Sequence, residues 1–172
     1  MRRQSGLTLL ELIVALVVIG VLLSLAAPAW WGMVERNRIT TQVNEFITAA
    51  TLARSEATRR GNDVLLCASR TATQPRECDG EDWTDGWIVK EDGADEPIRV
   101  WDAPAGQPDM EVTDGDTTVS FQRNGRADGR LRIIYRGSDA GGQQVDVFCR
   151  EIVINSSGRA RVNAEWTGES PC

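Results

Sequence analysis

The feature that most constrains this chain is an apolar run near its N-terminus, residues 7–27, which contains a single carboxylate, Glu11. About 21 residues of helix at about 1.5 Å per residue cover about 30 Å, the thickness of a bilayer core. Arg2 and Arg3 precede the run and are expected to hold that end in the cytoplasm. The pattern predicts a transmembrane helix with the rest of the chain on the opposite side.

Glu11 is an expensive residue to place in lipid, because a carboxylate there costs about 2.5–3.5 kcal/mol on insertion scales. The apolar run contains no basic residue, so we expect its partner to come from another chain or from a newly made N-terminus. An ordinary secretory signal is the alternative, since Ser24, Ala26 and Ala27 are small residues of the kind found at cleavage sites. Glu11 argues against that alternative.

The stretch Gly6-Leu7-Thr8-Leu9-Leu10-Glu11-Leu12 resembles the class III signal of type IV pilins and type II secretion pseudopilins. The resemblance implies that a prepilin peptidase cleaves between Gly6 and Leu7 and that the new amino group of Leu7 is methylated. It also implies that Glu11 pairs with the amine of Leu7 in a neighbouring pilin or pseudopilin subunit. Pro28 matches the family's kink position, whereas Leu7 stands where the family usually has Phe.

A second apolar pattern follows Pro28 and repeats every three or four residues. Its members are Ile39, Val43, Phe46, Ile47, Ala50, Ala53 and Ala57. This spacing predicts that the helix resumes after a kink and lays one apolar stripe against a sheet. Gly61 and Asn62 form a typical C-terminal stop, so the helix is predicted over residues 7–60, roughly 80 Å long.

The remainder of the chain alternates β-type runs with turn signals such as Asn124-Gly125 and Ser157-Gly158. We expect strands at residues 64–67, 86–89, 98–101, 118–121, 131–135, 145–148, 151–154 and 159–162. A long helix followed by antiparallel strands defines an α+β fold. The predicted organisation is a leader (1–6), a transmembrane and assembly helix (7–28), a helix packed on the head (29–61) and a β-rich periplasmic head (62–172).

Two stretches of the head carry a further resemblance. Phe121-Gln122-Arg123-Asn124-Gly125 and Ile152-Val153-Ile154-Asn155-Ser156-Ser157-Gly158-Arg159 are similar to the GspH/FimT group of minor pilins and pseudopilins. The resemblance implies the type IV pilin fold, in which a long N-terminal helix packs on an antiparallel sheet. It also implies a bacterial inner-membrane protein with a single membrane pass, a periplasmic head and other pilin or pseudopilin subunits as partners.

Four cysteines lie beyond the apolar run, which suggests two disulfides formed in an oxidising periplasm. Four cysteines allow three connectivities, and proximity in sequence favours Cys67 with Cys78 and Cys149 with Cys172. A metal site is the alternative. The chain has no histidine and no Cys-x-x-Cys spacing, so we expect no metal and no other cofactor.

Charges are segregated along the head, with acids concentrated in residues 77–116 and arginines in residues 117–162. Ion pairing between the two segments on a solvated surface is one interpretation. The other concerns Gly158-Arg159-Ala160-Arg161, because residues two apart on a strand share a face and guanidinium groups suit phosphate. This motif resembles the element implicated in DNA binding by FimT-type minor pilins in natural transformation. Further arginines that would extend the patch are Arg130, Arg132 and Arg150.

The absence of histidine excludes Ser-His-Asp and Cys-His catalysis, and no enzyme activity is expected. The acids at 79, 81, 82 and 85 do not follow the spacing of a calcium loop. We interpret the chain as a minor pilin or pseudopilin at or near a filament tip, with double-stranded DNA bound through Gly158, Arg159, Arg161 and Arg150. The alternative is a type II secretion minor pseudopilin, similar to protein H, that does not bind DNA.

Overall fold

The computed structural model describes residues 9–70, 77–106, 108–138 and 144–163. In chain order its elements are α1 (Leu9–Arg60), β1 (Val64–Ala68), a 3-10 turn (Trp83–Asp85), β2 (Gly86–Glu91), β3 (Arg99–Asp102), β4 (Asp109–Asp114), β5 (Thr118–Phe121), β6 (Ala127–Asp128), β7 (Leu131–Ser138), β8 (Gln144–Ile154) and β9 (Ala160–Asn163). The predicted α+β order of one long helix followed by strands is confirmed.

Helix α1 has 52 residues and is therefore about 78 Å long. It ends as predicted at Gly61, whose N–H donates to the carbonyl of Ala57 at 2.9 Å and whose φ of +73° suits glycine. The kink expected at Pro28 stays a prediction, because that side chain lies outside the described part of the chain. Within the described residues, no helix combines the length and the apolarity that crossing a membrane requires.

The strands form two antiparallel sheets. The first has the order β3-β2-β1-β5-β6 and the second has the order β4-β7-β8-β9. Both contribute buried side chains to one core that also contains the apolar stripe of α1, including Ile39, Val43 and Phe46. The second half of α1 is therefore covered by both sheets, while residues Leu9–Leu23 keep their large apolar side chains exposed.

The core is close-packed around the helix for a simple steric reason. Ala50, Ala53 and Ala57 are almost completely buried, and their small side chains allow the sheets to approach the helix axis. Phe46 packs edge-on against Trp83 and Trp87, with ring centroids 5.0 and 5.3 Å away. The tryptophans of the acidic segment therefore belong to the core.

Three parts of the strand prediction were wrong, one of which is the omission of the two-residue strand β6. Residues 145–148 and 151–154 belong to one strand, β8, because Cys149 and Arg150 between them stay extended and pair with Arg136 and Tyr135. Strand β4 was missed, because its aspartates and glutamate disguise the alternation of Met110 and Val112. Those acids are tolerated since β4 is an edge strand whose polar side chains face solvent.

Candidate nucleic-acid interface

The loop after β5 is a tight turn that reverses the chain into β6. The N–H of Gly125 donates to the carbonyl of Gln122 at 2.7 Å, and the N–H of Gln122 donates to the carbonyl of Arg126 at 2.8 Å. Gly125 has a φ of +76°, a conformation that glycine adopts without a steric penalty. We call residues 122–126 turn 1.

The loop after β8 repeats this geometry. The N–H of Gly158 donates to the carbonyl of Asn155 at 2.8 Å, and the N–H of Asn155 donates to the carbonyl of Arg159 at 3.2 Å. The φ of Gly158 is +73°. The side chain of Asn155 closes the loop by accepting hydrogen bonds from Ser157 Oγ at 2.6 Å and from the N–H of Arg159 at 3.2 Å. We call residues 155–159 turn 2.

The two turns are stacked on each other, although each belongs to a different sheet. A Cβ added to Gly158 would overlap the carbonyl oxygen of Gly125 and lie 3.4 Å from the backbone nitrogen of Ala127. A Cβ added to Gly125 would lie 3.2 Å from both Arg54 Nε and Thr58 Oγ1 of α1. The end of the helix and the two turns therefore meet at two buried glycines.

Arg159 and Arg161 occupy different settings from those predicted. Arg159 belongs to turn 2 and precedes β9, whereas Arg161 lies within β9, which is the edge strand of the second sheet. Both side chains are exposed. Arg161 pairs with Val153 of β8, and Val153 pairs on its other side with Arg132 of β7. Arg161 and Arg132 therefore lie on the same face, about 10 Å apart across two strand spacings.

Arg150 is not part of this surface. It pairs with Tyr135, whose side chain is buried in the core, and it is an odd number of residues from Val153 along β8. Because successive side chains of a strand alternate, Arg150 and Arg161 lie on opposite faces of the sheet. The guanidinium of Arg150 donates to the carbonyl of Cys149 at 2.7 Å.

The two other proposed extensions of the patch differ from each other. Arg130 is exposed and directly precedes Leu131. Leu131 pairs with Ile154, the last residue before turn 2, so Arg130 lies beside that turn. Arg132 Nε lies 3.0 Å from Oε1 of the buried Glu151, as a charge pair without an aligned hydrogen bond. Asn163 donates to the other carboxylate oxygen of Glu151 at 2.7 Å. The charge of Arg132 is therefore largely compensated.

Ion pairing distinguishes one group of described arginines from the arginines at the stacked turns. The ion-paired group contains Arg38, Arg59, Arg60, Arg70, Arg132 and Arg136. No described carboxylate pairs with the guanidinium groups around the stacked turns, which are those of Arg54, Arg123, Arg126, Arg159 and Arg161. Five arginines without an ion pair to a described carboxylate are thus grouped where the turns meet.

Sequence reasoning missed Arg54, Arg123 and Arg126 as members of this group. One local signal was available, because Gly125-Arg126 and Gly158-Arg159 are both glycine-arginine pairs that close a turn. The position of Arg54 carries no such signal, since it depends on how the helix packs under turn 1.

The acidic segment is engaged elsewhere in the head. Asp109 and Glu111 of β4 each accept a hydrogen bond of 2.7 Å from Arg136 of β7, and these bonds raise the pKa of Arg136. This pair confirms that the acidic and basic segments neutralise each other in part. Two acids lie beside turn 1, namely Asp63, whose carboxylate accepts the N–H of Arg123 at 3.3 Å, and the exposed Asp128 of β6.

The acids at 79, 81, 82 and 85 serve local structure. Asp82 accepts the N–H of Thr84 at 2.7 Å, and Asp85 accepts the N–H of Glu81 at 2.9 Å. Asp79 accepts the N–H of Arg70 at 3.0 Å. In the part of the chain that the structure describes, no group of three acids or cysteines is arranged to hold a metal ion.

The disulfide predicted between Cys67 and Cys78 is confirmed, with a Cα–Cα distance of 5.4 Å. Cys149 is also disulfide-bonded, but its predicted partner Cys172 lies outside the described residues. Gly6 and Leu7, the predicted cleavage and methylation site, lie outside them as well. Glu11 is on an exposed face of the first part of α1.

The fold is that of type IV pilin subunits. It superposes on the type IV minor pilin FimU of Pseudomonas aeruginosa with a TM-score of 0.55, covering 76% of this chain and 92% of that one. A second crystal form of the same pilin gives a TM-score of 0.50 over 72% of this chain and 91% of that one. The sequence identities of 19% and 18% make this a likeness of fold alone.

Family comparison gives the more specific result. Residues 42–166 match the family of type II transport protein GspH, and residues 1–27 match the prokaryotic N-terminal methylation motif. The chain therefore belongs to the GspH family and carries the N-terminal methylation motif. The family and the fold are those of structural pilin subunits.

Two curated relatives share shorter stretches. A fimbrial protein of Pseudomonas aeruginosa is 32% identical over 74 residues, which is 43% of this chain and 47% of that protein. The type II secretion system core protein G of Aeromonas hydrophila is 31% identical over 97 residues, which is 52% of this chain and 64% of that protein. The chain thus spans about half to two thirds of the length of these relatives.

Proposed function

We propose that this chain is a minor subunit of a type IV pilus, located at or near the filament tip, and that its head binds double-stranded DNA for uptake. The observation that supports the filament role is the methylation motif over residues 1–27 joined to a GspH-family region over residues 42–166. The observation that supports DNA binding is the exposed, uncompensated pair Arg159 and Arg161.

The first part of α1 is proposed to anchor the subunit in the bacterial inner membrane, with the head in the periplasm. Its apolar side chains are exposed on every side of the helix, from Leu9 at 78% to Leu23 at 63%. Such a helix is stable only when another apolar medium covers it. Trp30 and Trp31 follow the run and are 68% and 58% exposed, which suits side chains at a membrane–water boundary.

Glu11 is proposed to direct assembly by pairing with the methylated amine of Leu7 in a neighbouring subunit, after a prepilin peptidase has cut behind Gly6. Two opposite charges attract strongly in a low-dielectric environment, so this pair would favour one register of helix packing. Pro28 would bend the helix where it leaves the membrane.

The assembly proposal is tested by substituting Glu11→Ala in cells and measuring the chain in sheared filament fractions by immunoblotting. We expect severe loss from the filaments with a normal amount in the membrane. Glu45→Ala is the matched control, because Glu45 is an exposed glutamate of the same helix. Normal incorporation of the Glu11→Ala protein, or an N-terminus other than Leu7 in mass spectrometry, would contradict the proposal.

DNA binding is tested with the full chain in non-ionic detergent and a fluorescent DNA duplex. Each phosphate that the protein neutralises contributes a log–log salt slope of about −0.9, which corresponds to about tenfold in affinity near 0.1 M salt. Arg159→Gln with Arg161→Gln is therefore expected to weaken binding by one to two orders of magnitude. The control, Lys90→Gln with Arg99→Gln, removes two positive charges from the far strands of the first sheet. Equal affinity of both double variants would contradict DNA binding through turn 2.

A second candidate function is that of a type II secretion minor pseudopilin without DNA binding. It is supported by the description of the family as type II transport protein GspH and by the relative from the type II secretion system. Deletion of the chain distinguishes the two. Loss of DNA uptake with normal protein export supports the pilus, and the reverse result supports the secretion system.

A further inference from the structure

We propose that turns 1 and 2 form one composite binding surface for the DNA backbone, in which Arg54, Arg123 and Arg126 act together with Arg159 and Arg161. The inference rests on the proposed DNA binding and extends it. It assigns three of the five arginines to the helix and the first sheet, which lie outside the Gly-Arg-x-Arg motif.

The stacking of the glycines carries the argument. Gly158 packs on the carbonyl of Gly125 without room for a Cβ, so the two turns hold a fixed separation. Arg126 and Arg159 each follow one of these glycines, and consecutive Cα atoms are about 3.8 Å apart. The backbones that carry the Arg126 and Arg159 side chains are therefore neighbours on the surface, although the two residues belong to turns of different sheets.

Arg54 of α1 lies against turn 1 from the helix side. Its Nε would lie 3.2 Å from a Cβ at Gly125, so its half-buried side chain runs along turn 1. Arg123 is exposed on the opposite arm of turn 1. The backbone of turn 1 is fixed by hydrogen bonds between Gln122, Gly125 and Arg126 and by the contact of Asp63 with the N–H of Arg123. The surface is thus built before any ligand arrives.

The charge of this surface is suited to a polyanion. The five arginines make no ion pair with any described carboxylate, while Asp63 and Asp128 are the acids close to turn 1. A DNA duplex carries one negative charge per about 1.7 Å of its axis. Because the whole chain has a net charge of −6, this surface would also orient the protein as it approaches DNA.

The side chains between the arginines favour a nucleic acid over an acidic protein partner. Asn124, Ser156 and Ser157 are exposed at the tips of the turns, and Thr58 is exposed on the helix beside Gly125. Polar side chains of this kind contact phosphate and sugar. Hot spots of protein interfaces combine Arg with buried aromatic anchors, and the described residues of the two turns contain no aromatic or large apolar side chain.

The test compares three double variants of the full chain in non-ionic detergent, with a fluorescent DNA duplex titrated at several salt concentrations. They are Arg123→Gln with Arg126→Gln in turn 1, Arg159→Gln with Arg161→Gln in turn 2, and Lys90→Gln with Arg99→Gln as the control. We expect both turn variants to lose affinity by a factor of ten or more. The log–log salt slope should decrease in magnitude by about 0.9 for each phosphate that the variant no longer neutralises.

Each result has a separate meaning. If turn 2 variants lose binding but turn 1 variants match the control, the composite surface is wrong and the proposed DNA binding stands. If turn 2 variants also match the control, the proposed DNA binding itself fails. If turn 1 variants bind DNA normally but no longer cross-link to other pilin subunits, the arginines serve a protein interface and the inference is overturned.

A conservative variant separates charge from folding. Arg123→Lys with Arg126→Lys keeps both positive charges and is expected to retain most of the salt slope, since phosphate is attracted to either cation. A loss of binding in this variant as large as in the glutamine variant, with an unchanged melting temperature, would contradict a backbone-contact role for turn 1.

Discussion

The phenol of Tyr135 in β7 donates a hydrogen bond to Gln42 Oε1 in α1 inside the buried core. Gln42 Nε2 in turn donates to the carbonyl of Ala105 at 2.8 Å, in the segment that follows β3. Burial raises the pKa of Tyr135 above its ordinary value, so the phenol keeps its proton and remains a donor at neutral pH. One helix residue thus joins the second sheet to a segment that leaves the first sheet.

Substitution of Tyr135→Phe is expected to reduce the free energy of unfolding by about 1–3 kcal/mol, because the Oε1 of Gln42 would be left buried without its donor. Denaturant unfolding of the full chain in detergent, followed by tryptophan fluorescence, measures this change. Thr48→Val is the control, since it removes an exposed hydroxyl that bonds only within the helix, and its effect should stay within about 0.5 kcal/mol. Equal effects of the two substitutions would contradict the role of the phenol.

Substitution of Gly158→Ala is expected to destabilise the fold more than Gly61→Ala. Both glycines have a φ of +73°, so the cost of holding alanine in that left-handed conformation, about 1–2 kcal/mol, is common to both variants. A Cβ at Gly61 has no neighbour within 4 Å, whereas one at Gly158 overlaps the carbonyl of Gly125. The difference between the two melting temperatures measures the stacking of the turns, and a difference of zero would show that the turns separate without cost.

Replacement of Cys67 and Cys78 by alanine is expected to lower stability by about 3 kcal/mol, since the bond closes a loop with a sequence separation of 11. The measurement is denaturant unfolding without reductant, with the wild-type chain as reference. Adding reductant to the double variant breaks the remaining disulfide, that of Cys149, and so measures the contribution of that bond to stability separately. An unchanged midpoint in the double variant would show that the loop is already ordered without the bond.

The stability contributed by Glu56 is expected to depend on pH. Hydrogen bonds from Arg59 and Arg60 lower the pKa of Glu56 from its ordinary value of 4.5 to about 2. A carboxyl group with a lowered folded-state pKa stabilises the protein above its unfolded pKa, and the contribution disappears as the pH falls through the folded pKa.

The matched variant is Glu56→Gln, which removes the charge at every pH. At pH 7 it should be less stable than the wild type by at most about 1 kcal/mol, because these ion pairs are partly solvated. The difference should shrink between about pH 4.5 and pH 2, as followed by unfolding at several pH values. A difference that is constant over this range would contradict the pairing.

Periodic features were predictable from the sequence. The buried stripe from Ile39 to Ala57 and the end of the helix at Gly61 follow from local spacing and from the preference of glycine for positive φ. The merging of two predicted strands into β8 was not predictable, because the residues of β7 that pair with Cys149 and Arg150 decide it. Strand β4 was hidden because acidic side chains lower strand propensity in any local window, whereas an edge position tolerates them.

By itself the sequence determined the long helix, most of the strands and the family, because helical periodicity, turn glycines and the N-terminal motif are properties of neighbouring residues. It also indicated two arginines of the candidate site, Arg159 and Arg161. Only the tertiary structure decided that Gly158 rests on Gly125, that Arg54, Arg123 and Arg126 join this surface, and that Arg150 lies on the other face. The reason is that these relations depend on how two sheets pack around one helix, and no local pattern encodes a contact between residues that are distant along the chain.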